Sequence, residues 1–164
     1  MKKNLTWKKQ FFSSTCLLYS DGQIVGMLKD KPFSQSAIGK LNGKEYAFKT
    51  KGLFKQNTEI IDSKENKVIG TIAYSNWMTK ATISLTDKLI NWKYDNLWNT
   101  KWRIFDNEGI EIKYTGSSTS GRIESNADDA VLLLSGLFVP NYFWQMSVAV
   151  LVVILIPIWA TVLN

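Results

Sequence analysis

This chain lacks the histidines and paired cysteines on which many catalytic and metal sites depend. The sequence has no histidine and one cysteine, Cys16. It therefore supplies no imidazole base, no serine–histidine–aspartate triad and no paired cysteine ligands for zinc. Because Cys16 has no partner base, we expect a small buried residue rather than a nucleophile. The sequence predicts no catalytic residue, no cofactor-binding residue and no metal ligand.

Four aspartates are the remaining candidates for acid–base chemistry: Asp62, Asp87, Asp95 and Asp106. A hydrolase of this type would need two of these carboxylates to converge in one cleft. All four lie between apolar runs, at predicted turns, where an aspartate side chain commonly accepts hydrogen bonds from nearby backbone N–H groups. Turn formation is therefore the preferred interpretation, and we expect the chain not to be an enzyme.

The charged residues are unevenly distributed along the chain. The net charge is +6, and all 20 Lys/Arg and 14 Asp/Glu lie at or before Asp129. An exposed apolar run as long as residues 130–164 would aggregate in water, so it must be buried in protein or in lipid. Residues 146–163 are long enough to cross the roughly 30 Å hydrocarbon core of a bilayer.

Aromatic residues flank this apolar segment. Tyr142, Phe143 and Trp144 precede it, and Trp159 lies near its far end. Such residues often form a belt at each membrane interface, so these four are candidate membrane-interface anchors. The sequence predicts that residues 141–164 form a single C-terminal transmembrane anchor. The alternative is a cytoplasmic protein in which the same segment is a buried core helix.

The densest basic cluster comprises Lys2, Lys3, Lys8 and Lys9. We expect these lysines to contact anionic lipid headgroups, each contributing about 1 kcal/mol near the membrane surface. No signal-peptide apolar region follows them, which predicts a domain on the cytoplasmic face. The other lysines are scattered singly, unlike a nucleic-acid-binding stripe. The expected partners are membrane lipid or a membrane protein, and not nucleic acid.

Residues 4–125 alternate between apolar and polar residues in short runs separated by turn sequences. Asp21-Gly22 and Asn42-Gly43 are typical of type I′ hairpin turns. The runs number about twelve at intervals near ten residues, with links too short for parallel crossovers. A twisted antiparallel sheet of this size tends to close into a barrel. Four tryptophans are expected to form barrel core rather than a stacking platform for bases or sugars: Trp77, Trp92, Trp98 and Trp102.

A closed barrel of twelve strands is too wide for its own side chains to fill. The sequence offers an apolar helix near residues 127–139, capped by Ser125 or Asn126 and ended or kinked by Pro140. We therefore predict a mainly β fold. A closed antiparallel barrel of about twelve strands surrounds a central hydrophobic helix within residues 1–140, and a separate terminal hydrophobic helix follows at 141–164.

Short motifs in these hairpins resemble a known family. They are Thr58-Glu59-Ile60-Ile61-Asp62 with the following Asn66-Lys67-Val68-Ile69-Gly70-Thr71-Ile72, and Trp102-Arg103-Ile104-Phe105-Asp106-Asn107-Glu108-Gly109. With the apolar helix after Asp129, they are similar to the tubby C-terminal-like barrels, which include LURP-one-related proteins and phospholipid scramblases.

The resemblance implies a barrel threaded by an apolar helix. It also implies lipid binding, because tubby-like members bind phosphoinositides through basic residues and scramblases carry a C-terminal hydrophobic helix. No lipid-contacting position or calcium motif can be matched residue by residue. We therefore expect a non-enzymatic, membrane-associated module that binds lipid headgroups or a protein partner. The alternative is a soluble tubby-like protein with its whole C-terminus buried in the barrel.

Overall fold

The structure, a computed structural model, describes residues 2–31, 34–52 and 56–162, with side chains as far as residue 151. Its elements are twelve strands and one helix. The strands are β1 (Lys3–Lys9), β2 (Thr15–Ser20), β3 (Gln23–Lys31), β4 (Ser36–Leu41), β5 (Lys44–Lys51), β6 (Asn57–Asp62), β7 (Lys67–Tyr74), β8 (Lys80–Leu85), β9 (Lys88–Tyr94), β10 (Lys101–Phe105), β11 (Glu111–Gly116) and β12 (Ser120–Ser125). The helix is α1 (Ala130–Val162).

Each strand pairs with its neighbours in sequence, and the sheet closes on itself. Strand β1 pairs antiparallel with β12, with Lys3 opposite Ser125 and Lys8 opposite Ser120. Every other pair is antiparallel as well, so the barrel runs up and down and has no free edge. This architecture confirms the predicted closed, twelve-stranded antiparallel barrel.

Tight turns set the register of the hairpins. Asp21 and Gly22 have φ of 50° and 79°, and Asn42 and Gly43 have φ of 51° and 77°. Both residues of each pair are thus left-handed, as a type I′ turn requires. At the β10–β11 turn, the Asp106 carboxylate accepts backbone N–H bonds at 2.9 and 2.8 Å. Asp62 accepts two such bonds at 2.9 and 3.1 Å, so both aspartates are turn formers.

The first part of α1 fills the barrel. Its side chains from Ala130 to Val139 are buried among the inward-facing residues of the strands. The Phe48 ring stacks on Phe138 with centroids 4.7 Å apart. An interior this wide requires such a filling, because a void would forfeit the packing and dispersion energy of its lining.

Helix α1 begins one residue after its cap, Asp129, and not where the sequence predicted. The Asp129 carboxylate accepts N–H bonds from Val131 at 3.0 Å and Leu132 at 3.3 Å, as an N-cap residue does. The predicted caps are wrong because both side chains bind loop backbone instead. Ser125 binds Ala127, and Asn126 holds the β10–β11 connection.

Pro140 does not end α1, and the segment predicted as a separate terminal helix is the continuation of the same helix. A proline within a helix leaves the carbonyl four residues earlier without its usual N–H donor. Here that carbonyl belongs to Gly136, and it accepts hydrogen bonds from Trp102 Nε1 at 2.7 Å and Trp92 Nε1 at 3.4 Å. Two barrel tryptophans therefore replace the missing donor, and one continuous helix threads the barrel.

We expect the loss of folding stability caused by Trp102→Phe to depend on residue 140. With Pro140 present, the substitution removes the shorter hydrogen bond to a buried carbonyl, which costs about 1–3 kcal/mol. In a Pro140→Ala background, the alanine N–H can donate to the Gly136 carbonyl, so the cost should fall by about 1 kcal/mol. Denaturant unfolding of the four chains of this double-mutant cycle, in mild detergent, measures the difference. Equal costs in both backgrounds would contradict the compensation.

Candidate functional site

Helix α1 leaves the barrel at one end, which we call the exit rim. The exit rim consists of the connections that follow β1, β3, β5, β7, β9 and β11. The opposite end, which we call the entry rim, consists of the remaining connections and the start of α1. The last fully buried residues of α1 before it emerges are Tyr142 and Phe143. Trp144 is 69% exposed, and residues 148–151 are all exposed.

The helix continues beyond the barrel without a break. Its backbone is helical as far as Val162, so residues 144–162 extend about 28 Å at 1.5 Å per residue. By length and composition, the described part Ala130–Leu151 is already long and apolar enough to cross a membrane, although most of it is buried inside the barrel. The emerging part nearly matches the roughly 30 Å of a bilayer core.

The predicted membrane-interface anchors divide into two groups. Tyr142 and Phe143 are 4% and 3% exposed, and both pack against Tyr74, with ring centroids 3.9 and 5.7 Å away. They are barrel core and cannot contact lipid, so the prediction is wrong for these two. Trp144 lies exposed at the exit rim. Trp159 lies outside the residues whose side chains the structure describes.

The four lysines predicted to contact lipid do not form one cluster. Strand β1 runs from the entry rim to the exit rim and separates Lys3 from Lys8 by about 17 Å, at ~3.4 Å per residue. Lys2 precedes the strand at the entry rim, where Lys3 pairs with Asp128. Only Lys8 and Lys9 lie at the exit rim.

A polar contact at the exit rim ties the helix to the wall of the barrel. The Asp30 carboxylate accepts a hydrogen bond from Asn141 Nδ2 at 2.6 Å and from Lys9 Nζ at 3.2 Å. Burial raises the pKa of the Asp30 carboxyl, while the Lys9 ammonium opposes that shift. This contact fixes the helix where it leaves the barrel.

Charge is polarised between the two rims. Among the described residues, nine lysines lie within two residues of a strand end at the exit rim: Lys8, Lys9, Lys29, Lys31, Lys49, Lys51, Lys80, Lys93 and Lys101. Only three carboxylates lie there: Asp30, Glu59 and Asp95. The other eleven carboxylates and eight further lysines lie toward the entry rim. The end from which the apolar helix emerges is therefore the basic end.

The exit rim also carries exposed aromatic residues that sequence reasoning missed. Every Phe and Trp that the structure describes as exposed lies there: Phe11, Phe12, Trp77, Trp98 and Trp144. Leu97 beside them is 98% exposed. The expectation that four tryptophans form core holds for Trp92 and Trp102 and is wrong for Trp77 and Trp98. The sequence does carry a signal for their exposure, because Trp77 and Trp98 both lie between strands rather than within them.

The residues considered for catalysis are not brought together. Asp62, Asp87 and Asp106 lie at the entry rim, whereas Asp95 lies at the exit rim, 2.9 Å from Arg103 Nε. The part of the chain that the structure describes contains no group of three His, Cys, Asp or Glu residues placed to hold a metal ion. Burial raises the pKa of the Cys16 thiol to about 12, which leaves it protonated and unreactive at neutral pH.

No family model, curated protein or solved structure matches this chain.

Proposed function

We propose that this chain is a non-enzymatic, membrane-anchored β-barrel module. Helix α1 plugs the barrel with its first part and crosses a bilayer with residues 144–162. The barrel then lies on the cytoplasmic face, where it binds lipid headgroups or a membrane protein.

The exposure of four successive apolar residues carries this proposal. Residues 148–151 are Val, Ala, Val and Leu, and all four are exposed. Successive helical residues point about 100° apart, so these four cover every side of the helix. Within the described residues, the barrel strands leave this part of α1 uncovered. An apolar helix bare on all sides needs lipid or another protein around it.

The charge distribution supports the proposed orientation. Lysines accumulate on the cytoplasmic side of membrane-spanning helices, and the lysine-rich exit rim adjoins the start of the emerging segment. Anionic lipids of the cytoplasmic leaflet attract basic residues near the surface. The same rim therefore fits a role in headgroup contact.

Kinship with the tubby-like barrels remains part of the proposal. The up-and-down barrel of twelve strands threaded by an apolar helix is the feature that supports it. The alternative of a soluble relative, with its entire C-terminus inside its own barrel, is disfavoured by the exposed residues 148–151.

Alkaline carbonate extraction of cell membranes tests the proposal. We expect the full chain to stay in the membrane pellet, because carbonate strips proteins held by charge but not a helix inserted in hydrocarbon. The same sample should float with lipid vesicles in a density gradient. Release of the chain into the carbonate supernatant, as a monomer, would contradict membrane insertion. Release as an oligomer would show that a second copy covers the helix.

A further inference from the structure

We propose that the exit rim docks end-on against the bilayer, with its aromatic loop tips at the level of the lipid headgroups. This inference rests on the proposed function and adds which surface of the barrel contacts lipid. The occupant to which it commits is an anionic lipid surface.

The continuity of α1 sets the orientation of the barrel. The same helix is buried at Phe143 and exposed at residues 148–151, with helical backbone between them. The contact among Asp30, Lys9 and Asn141 holds the helix to the barrel wall at this point. Because no flexible linker separates barrel from helix, a helix that crosses a bilayer brings the exit rim against its surface.

The exposed side chains of the rim suit that position. The β1–β2, β7–β8 and β9–β10 connections each present an aromatic tip around the emerging helix: Phe11 and Phe12, Trp77, and Trp98. Phe12 has φ of 64°, an unfavourable conformation for a bulky residue, and its side chain is 98% exposed. Tryptophan favours the headgroup region of a bilayer, and exposed phenylalanine rings bury into the boundary between headgroups and acyl chains.

The entry rim of the same barrel lacks the features that suit the exit rim to a membrane surface. Its connections are short turns such as Asp21-Gly22 and Asn42-Gly43. None of the exposed Phe and Trp side chains that the structure describes lies there. Most carboxylates of the described residues lie toward this end. The large apolar side chains exposed at this end are aliphatic: Ile24, Val68 and Leu89, at the starts of β3, β7 and β9. The two ends of one barrel thus differ in aromatic exposure and in charge, as expected if only one of them meets a membrane.

Charge favours an anionic lipid surface over a protein partner as the occupant. The aromatic tips are interleaved with lysines at strand ends, including Lys31, Lys51 and Lys80. Protein interfaces are depleted in lysine, whereas each lysine near an anionic bilayer contributes about 1 kcal/mol. Long lysine stems can also lie along the apolar boundary with their ammonium groups among the phosphates.

Site-specific fluorescence in the full chain tests the docking. Leu97→Cys places a thiol at the exit rim, and Asn107→Cys places a matched exposed thiol at the entry rim. Buried Cys16 does not compete for the label. Each variant is labelled with an environment-sensitive fluorophore and inserted into phosphatidylcholine vesicles containing phosphatidylserine.

We expect the emission of the label at position 97 to shift to the blue. Headgroup spin-labelled lipid should quench it, and aqueous iodide should not. The label at position 107 should show no blue shift, should be quenched by aqueous iodide and should not be quenched by the spin-labelled lipid. An inserted, carbonate-resistant chain whose position-97 label stays open to iodide would overturn the docking and leave the anchor intact. A chain that does not insert would instead contradict the proposed function. A position-97 shift that depends on protein concentration and not on lipid would assign the rim to a second copy and overturn the lipid proposal.

Discussion

Replacing Gly136 by alanine should destabilise the barrel by about 3 kcal/mol, although alanine favours an isolated helix by about 1 kcal/mol. A Cβ at this position would lie 2.1 Å from the Tyr114 hydroxyl oxygen and 2.2 Å from the ring carbon that bears it. The Tyr114 ring is fully buried and stacks on Trp102, with centroids 5.5 Å apart. It therefore has little room to move aside.

The same substitution also disturbs hydrogen bonds across this contact. The Tyr114 hydroxyl lies 3.3 and 3.2 Å from the carbonyl oxygens of Leu132 and Leu133 and donates toward them. Displacing the ring would leave a buried hydroxyl without a partner, which costs about 1–3 kcal/mol. Denaturant unfolding of the full chain in mild detergent measures the loss.

Ser135→Ala is the matched control for Gly136→Ala. Ser135 is the preceding helical residue, fully buried, and its hydroxyl has no protein partner among the described residues. Alanine has the same Cβ and removes an unsatisfied polar group, so its stability should be unchanged or slightly higher. If Gly136→Ala were as stable as this control, the close contact between helix and barrel wall would be refuted.

The hairpin architecture could be predicted from the sequence because its signals are local. Asp-Gly and Asn-Gly pairs specify turns, and alternation such as that of Tyr46 and Phe48 specifies the buried face of a strand. Barrel closure followed from the number of strands and the length of their links. The charge-free segment after Asp129 likewise required burial in protein or lipid.

The boundary between plug and protruding helix could not be predicted, because it depends on contacts far apart in sequence. Pro140 predicts a helix end or a kink when only its own backbone is considered. The donors that satisfy the Gly136 carbonyl are Trp92 and Trp102, more than thirty residues earlier in the chain. For the same reason Tyr142 and Phe143 were assigned to a membrane interface, whereas the barrel wall buries them.

The candidate site was missed for a related reason. Phe11, Trp77 and Trp98 lie far apart in sequence, and the alternating direction of the strands brings their connections to one rim of the closed barrel. Sequence proximity groups Lys2 and Lys3 with Lys8 and Lys9, but β1 places the two pairs at opposite ends of the molecule. Sequence proximity was therefore a poor guide to surface patches, and strand direction was the information required.

Two arginines in the emerging helix should abolish membrane insertion of the full chain. In the Leu151→Arg/Ile154→Arg double variant, each arginine near the centre of a membrane helix costs about 2.5–3.5 kcal/mol, and each lost Leu or Ile removes about 0.3–0.6 kcal/mol of favourable transfer. The total of about 6–8 kcal/mol equals or exceeds the few kcal/mol that the apolar residues of this segment contribute. We expect the variant to appear in the carbonate supernatant and to stop floating with vesicles.

Leu151→Val/Ile154→Val is the matched control, since it alters the same positions and keeps them apolar; this variant should remain in the membrane. Leu151 is 57% exposed and lies beyond the barrel, so the arginine variant should unfold at the same denaturant concentration as the control in mild detergent. That equality separates loss of insertion from loss of folding. If the folded double-arginine variant still resisted carbonate, the emerging helix would not be the anchor. The basic, aromatic exit rim alone would then have to account for membrane association.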